Sequence, residues 1–177
     1  MPAIDEDDDV LGGTEEFAVD IDDIATVEPL PVKDYLATVE SVALKFVEKE
    51  GKESITKVSF GYLVPVEQFP PSYDVDNAPT GAKLFTNFNG TRVECGAGRQ
   101  PSKQGQSDWK RILKAHGYKG TVRFCMRPDI GGGRWGVPDD FLNNELVGRQ
   151  VILSVTHHKN PVDDQVYAQI KSVKPVQ

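Results

Sequence analysis

The chain has 177 residues, of which 38% are hydrophobic and 27% are charged, and it contains only two cysteines. This composition suits one ordinary domain with a modest core, and no apolar run reaches the roughly 18 residues that would predict a membrane helix. Two cysteines cannot form a disulfide framework, and the acidic first residues are unlike a secretory signal, so we expect a cytoplasmic protein.

The net charge of −7 is distributed unevenly along the chain. Residues 1–28 hold 11 of the 27 acidic residues and no Lys or Arg, which leaves 16 acidic residues, 20 basic residues and a net +4 for residues 29–177. Within residues 80–134, 11 basic residues face 3 acidic ones, a net +8. Such asymmetry indicates a polyanionic partner for the basic part of the chain.

Residues 1–28, the acidic arm, are predicted to be separate from a folded domain over residues 29–177. The arm has too few hydrophobic residues to fold alone. The segment Glu15–Ile24 alternates acidic and apolar side chains, which is also typical of a tail that docks in a groove. A disordered arm and a docked arm both remain open, and Pro29 and Pro31 mark the entrance to the domain.

A long hairpin is predicted at the start of the domain. Tyr35–Glu48 is a strand by its alternation and its β-branched and aromatic residues. Ile55–Val64 is the second strand, with Val58, Phe60 and Tyr62 on one face. Residues 65–81 contain four prolines and are predicted to be a loop, because proline is excluded from central strands.

The middle of the chain predicts a strand, a loop and a helix. Ala82–Asn89 is the third strand, followed by a tight turn at residues 89–90, and residues 96–106 form a basic loop. Ser107 is expected to cap a short helix that ends at Gly117. The helix follows i, i+3, i+4, i+7 spacing, with these residues on its apolar face: Trp109, Ile112, Leu113 and His116.

The last third of the chain predicts a fourth strand over Thr121–Arg127 and a helical turn over Asp139–Leu146. A closing hairpin follows, formed by Arg149–His157 and Gln165–Val173. A helix inserted between strand pairs of a small, mainly β protein favours an OB-like small barrel with one inserted helix. A sandwich or a jelly roll fits the same count of elements.

A groove for single-stranded nucleic acid needs cations along the phosphates and flat rings that stack on the bases. Phe85 shares its face of the third strand with Lys83, whereas Phe88 points to the opposite face and is predicted to lie in the core. The candidate nucleic-acid-binding residues are Tyr62, Lys83, Phe85, Arg92, Arg99, Lys103, Lys110, Arg111, Arg123, Arg127, Arg134 and Trp135. We expect them to converge along one trough; the alternative is ordinary core aromatics and a solvated basic surface.

No motif in the chain is typical of catalysis or metal binding. The cysteines and histidines lack paired ligand spacing, and the adjacent acidic pairs lie in the arm and in predicted turns. The sequence therefore predicts a protein that is not an enzyme and that has no metal site and no cofactor.

Three stretches of the chain resemble a known family: residues 29–36, which open the first strand, the Ser107–Gly117 helix, and residues 145–151, which lead into the closing hairpin. Their layout over residues 29–177 is similar to small phage proteins of recombination and replication cassettes, which resemble OB-fold single-stranded DNA-binding proteins. Two features depart from that pattern: the acidic tail is N-terminal, and the insertion at residues 65–81 is long.

The resemblance implies a phage protein that binds single-stranded DNA without sequence preference in a host cell, regulated by its acidic arm. Host or phage replication proteins are further expected partners through residues 1–28, and homo-oligomers are left open. The alternative is a structural or interaction protein, a virion component or an adaptor, that docks through the arm. An inhibitor that imitates DNA is a third interpretation.

Overall fold

The computed structural model describes residues 15–49, 52–91, 103–126 and 135–176. Over these residues the chain is mainly β, with a five-stranded antiparallel sheet, a two-stranded ribbon and two α-helices. The strands and helices are β1 (Lys33–Lys49), β2 (Lys52–Val64), β3 (Ala82–Thr91), α1 (Lys103–Ala115), β4 (Cys125–Met126), β5 (Trp135–Gly136), α2 (Asp139–Glu145), β6 (Gln150–Lys159) and β7 (Val166–Pro175). Neither of these helices is long and apolar enough to cross a membrane.

The sheet has the strand order β3-β2-β1-β6-β7. Strand β1 pairs with both of its neighbours in the sheet. Its residues up to Thr38 pair with β6, and its residues from Thr38 onward pair with β2. The register with β2 shifts between Val39 and Ser41, and irregularities of this kind bend a strand and increase its twist. The bend lets one long strand take part in both halves of a strongly curved sheet.

Alternation along the strands separates a buried inner face from an outer face. The inner face of β2 carries Phe60 and Tyr62, which are fully buried, and the neighbouring strands add Tyr35 and Leu153. Helix α1 covers this face with its own buried side chains: Trp109, Ile112 and Leu113. The sheet and the helix therefore form one core. Burial of each such side chain contributes about 1.5–3 kcal/mol to the free energy of folding.

The two edge strands of the sheet approach each other. Cα atoms of β3 and β7 come within 8 Å, and α1 contacts both strands. The described residues contain no hydrogen-bonded pairing between β3 and β7, so the sheet is not shown to be closed. The mainly β, antiparallel architecture predicted from the sequence is confirmed at that level.

The chain segment that enters the domain lies at the gap between these edges. The hydroxyl of Tyr73 donates to the carbonyl of Glu28 at 2.8 Å, and the amide of Glu28 donates to the Asn77 side chain at 3.0 Å. Leu30 is buried in the core cluster. Before this anchor, residues 15–28 of the acidic arm are all exposed, and Phe17 is 90% exposed. Their regular structure is one 3-10 turn at Ile21–Asp23.

The predicted end of β3 and the predicted start of α1 differ from the structure. Strand β3 continues through the expected turn at residues 89–90, because Thr91 still pairs with Thr56 of β2. Helix α1 begins at Lys103, so Ser107 lies inside the helix rather than at its cap. Its first turns are supported by an i, i+4 hydrogen bond of 3.0 Å from Gln104 to the Asp108 carboxylate.

The predicted fourth strand is reduced to the two residues of β4, which pair with β5. Residues 121–124 have no strand partner, and the hydroxyl of Tyr118 donates to the carbonyl of Thr121 at 2.5 Å. The closing hairpin of β6 and β7 and the helical turn of α2 are confirmed. The loop at residues 65–81 contains two short 3-10 helices, Val66–Gln68 and Val75–Asn77.

Candidate nucleic-acid interface

The outer surface of β2 and β3 forms the first candidate site, which we call the strand face. Antiparallel register places Phe85 opposite Gly61 and Lys83 opposite Leu63. Since Phe60 and Tyr62 point into the core, the residues between and beside them point outward. The strand face consists of Lys57, Ser59, Gly61, Lys83, Phe85 and Asn87.

Phe85 is the one large aromatic side chain of the strand face, and it is 71% exposed. A Cβ atom at Gly61 would lie 3.0 Å from Cε1 of the Phe85 ring, so the ring rests on the glycine backbone. Glycine in a strand interior often marks such a close approach, and cross-strand aromatic cover of a glycine stabilises the pair. One side of the ring is therefore supported while most of its surface remains open to a ligand.

Polar and basic side chains surround this ring. Lys83 is exposed on the same strand, two residues before Phe85, and Ser59 is hydrogen-bonded to Asn87 beside it. Lys57, which the sequence-based set omitted, is half-buried on the same face of β2. Side chains alternate between the two faces of a strand, and Val58 and Phe60 are buried. This alternation places Lys57 on the outer face and could have identified it from the sequence.

Tyr62 does not belong to the interface, which corrects the sequence-based prediction. Its side chain is fully buried, and its hydroxyl lies 2.6 Å from Nε2 of His116. Burial raises the pKa of Tyr62. A ring enclosed in the core cannot stack on a base, and the alternation that places Tyr62 on the face of Phe60 already indicated this.

His116 explains why Tyr62 can be buried with its polar atom satisfied. The His116 ring stacks on Phe60 with centroids 4.1 Å apart, and Nδ1 lies 2.7 Å from the carbonyl of Ile112. Burial lowers the pKa of His116 to about 4, so the ring is neutral at physiological pH. In the tautomer that satisfies both contacts, Nδ1–H donates to Ile112 and Nε2 accepts from the Tyr62 hydroxyl.

The basic residues of α1 lie on the side of the helix that faces away from the core. Lys103, Lys110 and Arg111 are exposed, while the opposite side of the helix packs on the inner face of the sheet. Arg111 also lies 3.6 Å from the Asp108 carboxylate. Convergence of these residues with Phe85 along one trough stays a prediction.

Arg123 is engaged by a neighbouring carboxylate. Its guanidinium donates to both oxygens of Asp140 in α2, at 3.3 Å each, and both side chains are exposed. Exposed pairs of this kind contribute only about 0–1 kcal/mol, so the pair reduces the local positive charge without fixing Arg123 firmly.

The remaining predicted site residues lie beyond what the structure describes. Arg92, Arg99, Arg127 and Arg134 fall outside the described ranges. The backbone of Trp135 belongs to β5, where it pairs with Met126. The described ranges hold no group of three or more His, Cys, Asp or Glu side chains arranged to bind a metal ion.

Comparison with protein-family models and with curated proteins gives no match for this chain.

Proposed function

We propose that this protein binds single-stranded DNA without sequence preference along the strand face, as a binding protein rather than an enzyme. The observation that carries the proposal is the exposed Phe85 ring supported on Gly61. Stacking of a base on an aromatic side chain contributes about 1–3 kcal/mol and tolerates every base, because each has a flat π surface.

The architecture supports this location. An OB fold is a five-stranded, partly open Greek-key barrel that binds oligonucleotides on its second and third strands. The present sheet has five antiparallel strands, its edges approach within 8 Å, and α1 contacts both edges. We infer that the sheet is a barrel of this type, and Phe85 then occupies the strand pair that such barrels use.

Positive charge supplies the second component of binding. Lys57 and Lys83 flank the ring on the strand face, and the sequence that follows β3 adds Arg92 and Arg99. Cations that replace the counterions of a phosphate backbone make affinity fall steeply as salt rises. Phosphate contacts fix position without reading sequence, in keeping with a sequence-independent binder.

The acidic arm is expected to oppose this binding. Its carboxylates repel the phosphates and compete for the same cations. Neutralising Asp20, Asp22 and Asp23 as asparagines should therefore raise affinity for an oligonucleotide at low salt. Unchanged or lower affinity in that variant would contradict a regulatory arm.

A second role as an interaction protein is favoured by the exposed apolar side chains of the arm. Phe17 is 90% exposed and Ile21 is 81% exposed. Apolar residues that find no cover on their own chain are typical of a segment that orders on a partner, and replication proteins of phage or host are the partners that the family resemblance suggests.

The test of DNA binding is fluorescence anisotropy with a labelled oligo-dT over a salt series. Phe85→Ala should weaken binding by about tenfold at every salt concentration because it removes one stacking platform, and Phe85→Tyr should retain affinity. Lys83→Ala should lower the slope of log affinity against log salt by about one, because one phosphate contact is lost.

Lys171→Ala is the matched control for Lys83. It removes the same charge from an exposed position on β7, away from the strand face, and should leave the slope unchanged. Full affinity in Phe85→Ala, or equal effects of the two lysine changes, would rule out the strand face as the binding site.

A further inference from the structure

A second concave surface lies between α1, residues 117–124 and the end of β7, and we call it the helix cleft. Its volume is about 870 Å³, within the range of about 300–1,000 Å³ that ligand sites occupy. The floor is apolar and includes Trp109, Leu113 and Phe124. The rim carries three exposed lysines: Lys110, Lys114 and Lys119.

These lysines are available to a ligand. Within the described ranges none of the three forms an ion pair, in contrast to Arg111 and Arg123. An apolar floor under a positive rim fits a ligand that combines apolar side chains with carboxylates. An acidic peptide with spaced hydrophobic residues has this chemistry.

The acidic arm of this protein is such a peptide. Residues 15–24 contain five acidic residues and no basic ones, interspersed with Phe17, Val19, Ile21 and Ile24. On its own chain two of these apolar side chains find little cover, since Phe17 and Ile21 are 90% and 81% exposed. Burial of one such side chain contributes about 1.5–3 kcal/mol to binding. The acidic residues of the arm add attraction to the lysine rim, so both kinds of residue favour docking.

We propose that the helix cleft binds the acidic arm of a second copy of this chain. Phe17 or Ile21 lies on the apolar floor, and the neighbouring carboxylates meet the lysine rim. Exchange of both arms between two copies closes the assembly as a dimer and leaves no arm unpartnered, as expected for a twofold-symmetric pair. The helix cleft is separate from the strand face, so the proposal does not depend on DNA binding.

The test uses two full-length charge-reversal variants. The arm variant carries Asp20→Lys, Asp22→Lys and Asp23→Lys, and the cleft variant carries Lys110→Glu, Lys114→Glu and Lys119→Glu. In sedimentation velocity at low salt, without nucleic acid, the unchanged protein should form dimers, and each variant alone should show a dimer Kd raised by about tenfold or more. An equimolar mixture of the two variants should regain dimers, because the basic arm of one fits the acidic cleft of the other.

A charge-matched control variant carries three reversals of exposed lysines that do not line the cleft, Lys33→Glu, Lys159→Glu and Lys171→Glu, and should dimerise like the unchanged protein. A photo-crosslinking phenylalanine analogue in place of Phe17 should link two chains and map to peptides of α1 or residues 117–124. A monomeric unchanged protein at millimolar concentration, a dimer that survives both reversals, no recovery on mixing, or crosslinks within one chain would each overturn the proposal. Circular dichroism establishes that each variant is folded, and the anisotropy assay reports on DNA binding separately.

Discussion

Tyr62 and His116 form a buried polar pair whose hydrogen bonds are complete only when the histidine is neutral. The Tyr62 hydroxyl lies 2.6 Å from Nε2, and the Ile112 carbonyl lies 2.7 Å from Nδ1. A protonated ring would have two donors and would lose its acceptor for the tyrosine proton. Burial also disfavours the charged form, so protonation of His116 must oppose folding.

This pair predicts a dependence of stability on pH. The pKa of His116 is about 4 in the folded protein against an ordinary value of 6.5, so the unfolded chain binds more protons between these values. The stabilising contribution is complete above about pH 6.5 and is lost as pH falls, by about 2 kcal/mol between pH 7 and pH 5. Urea unfolding at several pH values in this window measures the loss.

His116→Gln is the control for this measurement, since glutamine does not titrate. His157 and His158 remain in both proteins, so their contributions cancel when the two pH profiles are compared. The variant should be less stable at pH 7 and should show a shallower fall toward pH 5. Parallel profiles would contradict the assignment of the pH effect to His116.

At the scale of elements, the end of α1 determines how the helix meets the sheet. Gly117 has φ of +78°, its amide donates to the Lys114 carbonyl at 3.0 Å, and the Tyr118 amide donates to the Leu113 carbonyl at 3.0 Å. This pair of bonds is a Schellman motif, which requires a left-handed residue at the helix end. Arg149 then joins the helix end to the start of β6, by a hydrogen bond of 3.1 Å to the Gly117 carbonyl and by packing over the Tyr118 ring.

Substitution of Gly117 should therefore destabilise the fold through backbone conformation. A Cβ atom there meets only Pro175 at the ordinary distance of 3.5 Å, so there is no steric clash. Gly117→Ala should lower the free energy of unfolding by about 1 kcal/mol, because an L-residue is strained in the left-handed region. Gly117→Asn should lower it less, because asparagine tolerates this conformation; equal losses in denaturant unfolding would contradict the explanation.

In the whole molecule, other parts of the chain cover the gap between the edge strands β3 and β7. Helix α1 contacts both strands, and the segment that carries Glu28 and Leu30 is anchored at the other end of the gap. Exposed strand edges are sites of unwanted pairing, so such cover protects the sheet. The loop at residues 65–81 has a structural role here, because it supplies Tyr73 as the anchor.

Tyr73→Phe should loosen this anchor. The change removes the 2.8 Å hydrogen bond to the Glu28 carbonyl and should cost about 1 kcal/mol in thermal unfolding. Limited proteolysis should also cut faster near residues 26–31.

Tyr167→Phe serves as its comparison, because the Tyr167 hydroxyl makes a 2.6 Å bond to the exposed Asp163 carboxylate. Both changes remove one tyrosine hydroxyl, but only the first should alter stability and cleavage. A Tyr73→Phe protein that melts and is cut like the unchanged one would show that the anchor is unimportant.

Local patterns in the amino-acid sequence predicted the long strands and the direction of their side chains. Alternation is a local property with a period of two, so it correctly placed Phe85 outward and Phe88 toward Phe60, where the two rings meet edge to face with centroids 5.4 Å apart. The closing hairpin and Gly117 as the end of α1 were predictable for the same reason, since turn and cap residues act through their own backbone.

Contacts between distant parts of the chain, by contrast, follow from packing that no local pattern contains. Nothing local to the sequence shows that Gly61 lies beneath Phe85, because the two residues are 24 positions apart and their contact depends on the register of β2 with β3. The basic residues of α1 form a cluster in the sequence, and they are exposed in the structure because the apolar face of the helix packs on the inner face of the sheet. Charge content is a property of composition, whereas a binding surface depends on which elements pack together.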